Sequence, residues 1–384
     1  MIGIDASRAA SQQRTGTEAY SLHLIRALAE AAPACRFRLY FNRAPEEGLF
    51  DAHNVEPCVI PFPRLWTHLR LSAELGRRPP DALFVPAHVL PPLRPRCSLV
   101  TVHDLGYRHF PQAHPWLARL YLDGSTRWNV RAASWVLADS QATKDDAVRF
   151  YGTDPAKIVV AYPGRDESLG RVDDPAVVEK AKRRYGIEGQ YILYIGTLQP
   201  RKNLGRLIEA FSASPALHAG ASVSFQLHLH CAQAQVSAFS LVLAGKKGWL
   251  YDDLFEQVRR LGLDGQVIFP GFVAEEDKAA LLSGAAAVAF PSLYEGFGFP
   301  ALEALQCGVP LVCSNSSSLP EVAGQAALLV DPLDVDSIAQ ALVRIVADED
   351  LRQDLTRRGY EQAARFSWQA CARTVLDLLE RTTE

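Results

Sequence analysis

The run Ala285-Ala-Ala-Val-Ala-Phe-Pro291, followed by Glu295-Gly-Phe-Gly-Phe-Pro-Ala-Leu-Glu303, decides the fold. Residues 285–291 are a short apolar run closed by proline, the pattern of a buried strand. Gly296 and Gly298 let the backbone turn and approach a ligand closely. Pro300 suits the first turn of a helix, where its missing N–H costs little. Residues 301–306 are helix-compatible, and Gly308 offers a left-handed stop. The order is therefore strand, glycine turn, helix. Such a helix N-terminus presents free N–H groups and a positive dipole end, both favourable to a phosphate. Glu303, in the first turn, can accept hydrogen bonds from sugar hydroxyls, and Glu295, on the loop, can reach a second sugar ring. A glutamate in a first turn also simply complements the dipole, so the pair needs support from the rest of the chain.

That support begins with the repeat of the same alternation. Candidate strands in the first half are Ile2–Asp5, Phe37–Phe41, Ala82–Val85, Leu99–His103, Trp135–Ala138 and Ile158–Ala161. In the second half they are Tyr191–Ile195, Leu241–Ala244, Val267–Phe269, Ala286–Phe290, Pro310–Cys313 and Ala327–Val330. Helical stretches such as Glu18–Ala31, Leu204–Phe211 and Asp277–Ala285 fall between them. Strand–helix alternation predicts parallel sheets in layered α/β domains, with ligands beyond the carboxyl ends of the strands. Because the pattern occurs twice, two Rossmann-like domains are expected, divided within Gly164–Gly189. The expected boundaries are 1–170 for the first domain, with a returning helix at 364–384, and 185–363 for the second.

The opening of the second half reads Tyr191-Ile-Leu-Tyr-Ile-Gly-Thr-Leu-Gln-Pro-Arg201-Lys202-Asn203-Leu. A strand ends at Gly196, and two cations stand just before a helix that Asn203 is placed to cap. Cations are unfavourable at a helix N-terminus, so their position points to an anionic ligand such as a diphosphate. Arginine offers a fork of donors and lysine a point charge. A solvated basic turn is the plainer alternative.

The bulk numbers exclude several classes. The chain has 384 residues, 48% hydrophobic and 22% charged, an ordinary globular composition. A net charge of −3 speaks against general nucleic-acid binding, which needs a basic footprint. Seven scattered cysteines, with no pair or Cys/His cluster at zinc spacing, fit a reducing compartment. Neither a secretory signal nor a stretch of the roughly 18 apolar residues needed to span a bilayer is visible. A cytoplasmic location is expected, and no cofactor or metal.

In order and spacing the motifs resemble those of the family 4 retaining glycosyltransferases. The matching segments are Glu295–Glu303, Gly196–Asn203, Leu243-Ala-Gly-Lys-Lys-Gly-Trp249, Gly271-Phe-Val273, Thr101-Val-His-Asp-Leu105 and Gly16-Thr-Glu-Ala-Tyr20. The resemblance implies the GT-B architecture, two facing Rossmann-like domains with a cleft between them, the first for the acceptor and the second for a nucleotide-sugar donor. It implies that Glu303 holds the ribose, Glu295 the donor sugar, and Arg201 and Lys202 the diphosphate. The backbone of Gly296, Phe297, Gly298 and Phe299 would assist, and Val273 would meet the base through its backbone. Gly16 would lie near the phosphates, and His103 near the sugar and acceptor. Trp368 and residues 364–379 look like the terminal helix that returns to the first domain.

The activity so implied is metal-independent transfer with retention, and similar sequences with the Gly-Thr-x-x-Pro-Arg-Lys-Asn run point to mannose, with GDP-mannose as donor. A front-face mechanism fits, with the leaving phosphate helping to deprotonate the acceptor hydroxyl, and a double displacement through Glu295 is its rival. The competing functions are a GT-B nucleotide-sugar epimerase and a degenerate, non-catalytic binding protein. A Rossmann dehydrogenase is disfavoured, because no Gly-x-Gly-x-x-Gly follows the first strand.

Several segments carry two readings. Asp334-Val-Asp336 has the spacing of metal-dependent transferases, but Asp336 reads better as a helix cap. Ser318-Leu-Pro-Glu321 reads as a capping box. Leu65-Trp-Thr-His-Leu-Arg-Leu71 mixes apolar and basic residues, as a core helix does, and also as a face toward a lipid-linked acceptor or the inner face of the membrane does. Ser212–Phe239 lengthens a connection that the resemblance makes short. Its alternating run Ser222–His230 fits an extra edge strand or a disordered insertion, with His228 and His230 as a weak metal hint.

Overall fold

The computed structural model describes the chain except residues 12–15, 63, 88, 219–221, 228–229, 236–238, 247, 249–250 and 384, with the backbone alone at 113, 222–227, 230–235 and 382–383. The chain divides into two compact units, residues 1–164 with 366–384, and residues 165–365.

The first unit is built on a parallel sheet of β1 (Ile2–Asp5), β2 (Phe37–Phe41), β3 (Val55–Val59), β4 (Ala82–Val85), β5 (Cys97–Val102), β6 (Trp135–Ala138) and β7 (Ile158–Val160), in the order β3-β2-β1-β4-β5-β6-β7. Strand β3 escaped the sequence pattern because Pro57 sits at its centre. Proline removes a ladder donor and is tolerated at an edge, and β3 is the edge strand, pairing with β2. The helix Trp368–Thr383 belongs to this unit and packs on the helix Gly16–Ala31.

The second unit contains β8 (Gln190–Ile195), the hairpin strands β9 (Ser222–Leu227) and β10 (His230–Gln235), then β11 (Phe239–Ala244), β12 (Val267–Gly271), β13 (Ala287–Phe290), β14 (Leu311–Ser314) and β15 (Ala327–Val330). Its main sheet runs β12-β11-β8-β13-β14-β15, all parallel. Ile192, Leu193, Val242, Leu243, Val288, Ala289, Leu311 and Val312 are fully buried, as strands covered on both faces must be. Going outward from β8, the chain first adds β11 and β12 on one side and then β13 to β15 on the other. The order therefore reverses between β8 and β13, the switch point where open α/β sheets leave a crevice for ligands.

Four local expectations need correction. The run Ser222–His230 adds no edge strand to the main sheet. β9 ends at Leu227 and pairs antiparallel with β10 in a separate two-stranded ribbon; His228 lies outside the described residues, as do Lys247 and Trp249 of the Leu243–Trp249 motif. Asp334, rather than Asp336, caps the helix Val335–Ala347, its carboxylate accepting from the Asp336 and Ser337 amides at 2.9 and 3.3 Å. Asn203 caps nothing with its side chain, which donates to the Pro291 and Pro332 carbonyls at 3.0 and 2.6 Å. Ser318 makes no capping bond either; its hydroxyl serves the glycine turn described below. The segment Leu65–Leu71 divides between its two readings, with Trp66 and Leu71 buried and Leu65 and Leu69 exposed.

Two glycines weld the loops that follow β8 and β11. The Gly196 amide donates to the Ala244 carbonyl, the Leu198 amide to Lys246, and the Gly248 amide to Leu198, at 2.9 to 3.0 Å. A Cβ on Gly245, whose φ is +147°, would lie 1.8 Å from the Gly196 carbonyl oxygen, and one on Gly248 would lie 2.3 Å from that of Leu198. Gly245→Ala should therefore destabilise the second unit by roughly 1–3 kcal/mol, lowering its melting temperature by about 2–4 °C per kcal/mol. A thermal melt unchanged from wild type would contradict this packing.

Candidate active site

At the switch point of the second unit, the turn after β8 and the loop after β13 meet through charge. Arg201 and Lys202 lie in the short turn Pro200–Lys202 after β8, and Glu295 in the loop after β13. Arg201 Nη1 donates to Glu295 Oε2 and to the Tyr294 carbonyl, both at 2.9 Å, and Lys202 Nζ donates to Glu295 Oε1. Lys202 also stands over the Phe290 ring, 5.0 Å from its centroid. Glu295 is 5% and Lys202 6% exposed. Burial pushes the Glu295 carboxyl up, but the Lys202 and Arg201 charges outweigh it and hold it below the usual carboxylate range. Both of its oxygens are thus engaged by cations.

The backbone around Glu295 is fixed by two serines. The Glu295 amide donates to Ser317 Oγ at 2.9 Å. Ser318 Oγ donates to the carbonyls of Glu295 and Phe297 at 3.0 and 2.7 Å. The turn then passes through Gly298, whose φ of +107° suits glycine, into the helix Phe299–Gln306, with Pro300 in its first turn. Ser317 carried no legible signal and Ser318 only that of a cap, since their part depends on the loop folding back on itself.

Glu303 follows in the same helix but is tied elsewhere. Its Oε1 accepts from Lys278 Nζ on the helix Glu275–Ser283, which starts just after the buried Val273. Burial raises the Glu303 carboxyl above the usual range, and Lys278 only partly offsets it. The two glutamates that the sequence pairs are therefore served by separate cations, and Lys278 was missed because Glu275-Glu-Asp-Lys278 reads as a solvated first turn.

The first unit holds its own polar centre. His103 follows β5 and Asp139 follows β6, one step past the register pair Val102 and Ala138. His103 Nδ1 and Asp139 Oδ2 are 2.7 Å apart. Tyr20, from the helix that Gly16 opens, places its ring edge-on to the imidazole, 4.8 Å between centroids, and also meets Trp368 at 5.6 Å. Gly16 itself is exposed. Burial opposes protonation of His103, yet Asp139 outweighs it and keeps the imidazole above its ordinary range, while burial raises the Asp139 carboxyl. The histidine was legible in sequence; its aspartate, 36 residues on, was not, because only the sheet register joins them.

A histidine whose folded pKa is raised stabilises the fold below its ordinary range and loses that contribution as pH rises through the raised value. Asp139→Asn should remove this limb of the stability profile, and the His103 ring should titrate lower than in wild type by NMR. An unshifted titration would show that Asp139 does not set the charge of His103.

Comparison with known proteins agrees with this layout. Residues 14–169 match the model of "Glycosyltransferase Family 4", and residues 177–362 that of "Glycosyl transferases group 1". The chain is 31% identical to the O-antigen chain mannosyltransferase B of Escherichia coli over 375 residues, 93% of each chain. It is 30% identical over 251 residues to the serotype-specific mannosyltransferase WbdA of the same organism, of which the match spans 28%. Among solved structures, Anabaena HepE in complex with UDP and glucose superposes with a TM-score of 0.72 at 20% identity, and WaaG, a glycosyltransferase involved in lipopolysaccharide biosynthesis, with 0.70 at 16%, each covering 99% of both chains. On these matches the chain belongs to the family 4, group 1 glycosyltransferases and has the GT-B fold.

Proposed function

We propose that the chain transfers mannose from GDP-mannose, with retention and without a metal, to a hydroxyl of a glycan or lipid-linked acceptor. The observation that carries the reading is the cluster of Arg201, Lys202 and Glu295 at the switch point between β8 and β13. The sugar follows from the mannosyltransferases among the relatives. The epimerase and binding-protein alternatives have no comparable support.

In this reading the bond from sugar C1 to the diphosphate oxygen breaks, and its electron pair stays on the diphosphate. Arg201 and Lys202 take up that charge, fixed cations supplying what a metal would otherwise supply. The acceptor oxygen bonds to C1 on the same face, and its proton passes to the departing phosphate. Engagement of both Glu295 oxygens by cations supports this front-face path over a nucleophilic Glu295. We assign Glu303 to the ribose, Val273 to the base through its backbone, and the turn Gly296, Phe297, Gly298 and Phe299 to the diphosphate. Gly16 is assigned to the phosphates and His103 to the sugar and acceptor. The test is incubation with GDP-mannose and UDP-sugars in chelator with a glycan acceptor: an α-mannosyl product from GDP-mannose supports the reading, and transfer only from a UDP-sugar, or a β product, overturns the donor or the stereochemistry.

Glu295 occupies the cations that a diphosphate would need. Lys202→Ala should cut turnover by at least about 100-fold, the scale for losing one charge-stabilising donor, and weaken GDP binding with it. Glu295→Gln should also cut turnover, yet bind free GDP at least as tightly as wild type. Parallel losses of GDP affinity in both variants would mean that Glu295 holds the nucleotide rather than competing with it.

For the acceptor side we propose peripheral contact with the inner face of the membrane. The helix Trp116–Ala132 opens with Trp116, Leu117, Leu120 and Tyr121, 55–63% exposed. His68 Nε2 lies 3.3 Å from the Tyr121 hydroxyl, joining this face to the segment of Leu65 and Leu69. Residues 61–78 and 115–132 hold seven arginines against two acidic residues, in a chain of net charge −3. Exposed aromatic and leucine side chains in arginine-rich segments suit an anionic bilayer surface. No helix among the described residues is long and apolar enough to cross a membrane. The wild type should sediment with phosphatidylglycerol vesicles and the double variant Trp116→Ser, Leu120→Ser should not; equal sedimentation of the two would remove this surface from the reading.

A further inference from the structure

We infer that Lys278 is a positioning residue for nucleotide binding, holding Glu303 so that its second carboxylate oxygen is free to accept ribose hydroxyls. The inference rests on the assignment of Glu303 to the ribose and extends it to a residue that none of the motifs contains.

Lys278 and Glu303 come from different helices, Glu275–Ser283 and Phe299–Gln306, so their contact is not a by-product of helical spacing. Lys278 Nζ donates to Glu303 Oε1 and, at 3.1 Å, to Glu275 Oε1. The Lys278 and Glu303 side chains are 17% and 16% exposed, Glu275 largely solvated. Glu303 makes no other side-chain hydrogen bond among the described residues, which leaves Oε2 for a ligand. Glu295 is the contrast, with both oxygens bound to cations.

The chemistry requires the lysine. A carboxylate accepts through both oxygens, whereas a protonated carboxyl donates one hydrogen and loses acceptor capacity. Burial favours the protonated form, and Glu275 and Asp166 add negative charge around Glu303. The nearby Cys307 thiol, pushed up to about 12 by burial, stays neutral, and Arg171 acts on it while bonding to Asp173 and the Gly308 carbonyl. Lys278 is thus the cation that directly holds Glu303 ionised. Lys278 is itself kept protonated: burial works against its charge, but Glu303 and Glu275 outweigh burial.

The experiment measures GDP affinity by calorimetry from about pH 6 to pH 9, a range in which a buried carboxyl deprived of its cation can titrate. Wild type, Lys278→Met, Lys278→Arg and Glu303→Gln are compared. Lys278→Met should bind GDP at least about 10-fold more weakly near neutrality, with the deficit shrinking as pH rises and Glu303 recovers its charge, and Lys278→Arg should restore most of the affinity. Wild-type affinity in Lys278→Met, or a deficit that does not change with pH, overturns the inference, since a merely structural ion pair would give no pH-dependent deficit. Should Lys278→Met fail to fold, Lys278→Gln carries the same comparison. Undiminished GDP binding in Glu303→Gln would instead remove the ribose assignment, and the inference with it. A weakened Glu303→Gln beside an unaffected Lys278→Met would remove the inference alone.

Discussion

A buried carboxylate held between a buried lysine and a partly buried arginine organises the second unit. Charges taken out of water are costly unless they find counter-charges and hydrogen bonds. Glu295 meets that condition with Arg201 on one oxygen and Lys202 on the other, and removing Glu295 would leave the two cations facing each other without a counter-charge. The two loops that carry them are consequently locked to one another. The Leu293 amide donates to the Arg201 carbonyl, Asn203 reaches back to the Pro291 carbonyl, and Ser317 and Ser318 fix the turn that follows. The arrangement also leaves a net positive charge at the place where the sheet opens, a suitable state for meeting an anionic donor.

The sheet topology explains why this cluster sits where it does. Strands β8 and β13 are neighbours in space but separated by about 90 residues of chain that build the other side of the sheet. Loops leaving adjacent parallel strands at the reversal of strand order must diverge, and the divergence makes the crevice. In the first unit the order reverses between β1 and β4, and the polar pair arises away from that point, where the adjacent ends of β5 and β6 bring His103 to Asp139. In both units a chemically telling pair arises from strand adjacency rather than from proximity in sequence.

That distinction marks what was legible beforehand. The strands were legible because buried parallel strands are nearly continuous apolar runs; β3 was not, because Pro57 disguised it. The glycine turn was legible in Gly296 and Gly298, and the cations in Arg201 and Lys202, because each sits at a position where the plain structural choice would be something else. Lys278, Asp139, Ser317 and Ser318 were not, for each resembles a routine surface or capping residue until its partner arrives from another element. Asn203 and Ser318 show the opposite error. Both residue types favour caps, yet here tertiary carbonyls claimed their side chains. The β9–β10 ribbon had a readable alternation, but nothing in the sequence said that it would pair with itself rather than with the main sheet.

Arg201 and Lys202, released from Glu295, are the nucleoside diphosphate site that we propose. Its most direct test is calorimetric titration of the wild-type protein with GDP, UDP and ADP in chelator. Saturable binding of GDP in preference to the other two is expected, with no metal required. Absence of binding by all three, or binding that appears only when a divalent cation is restored, would contradict it.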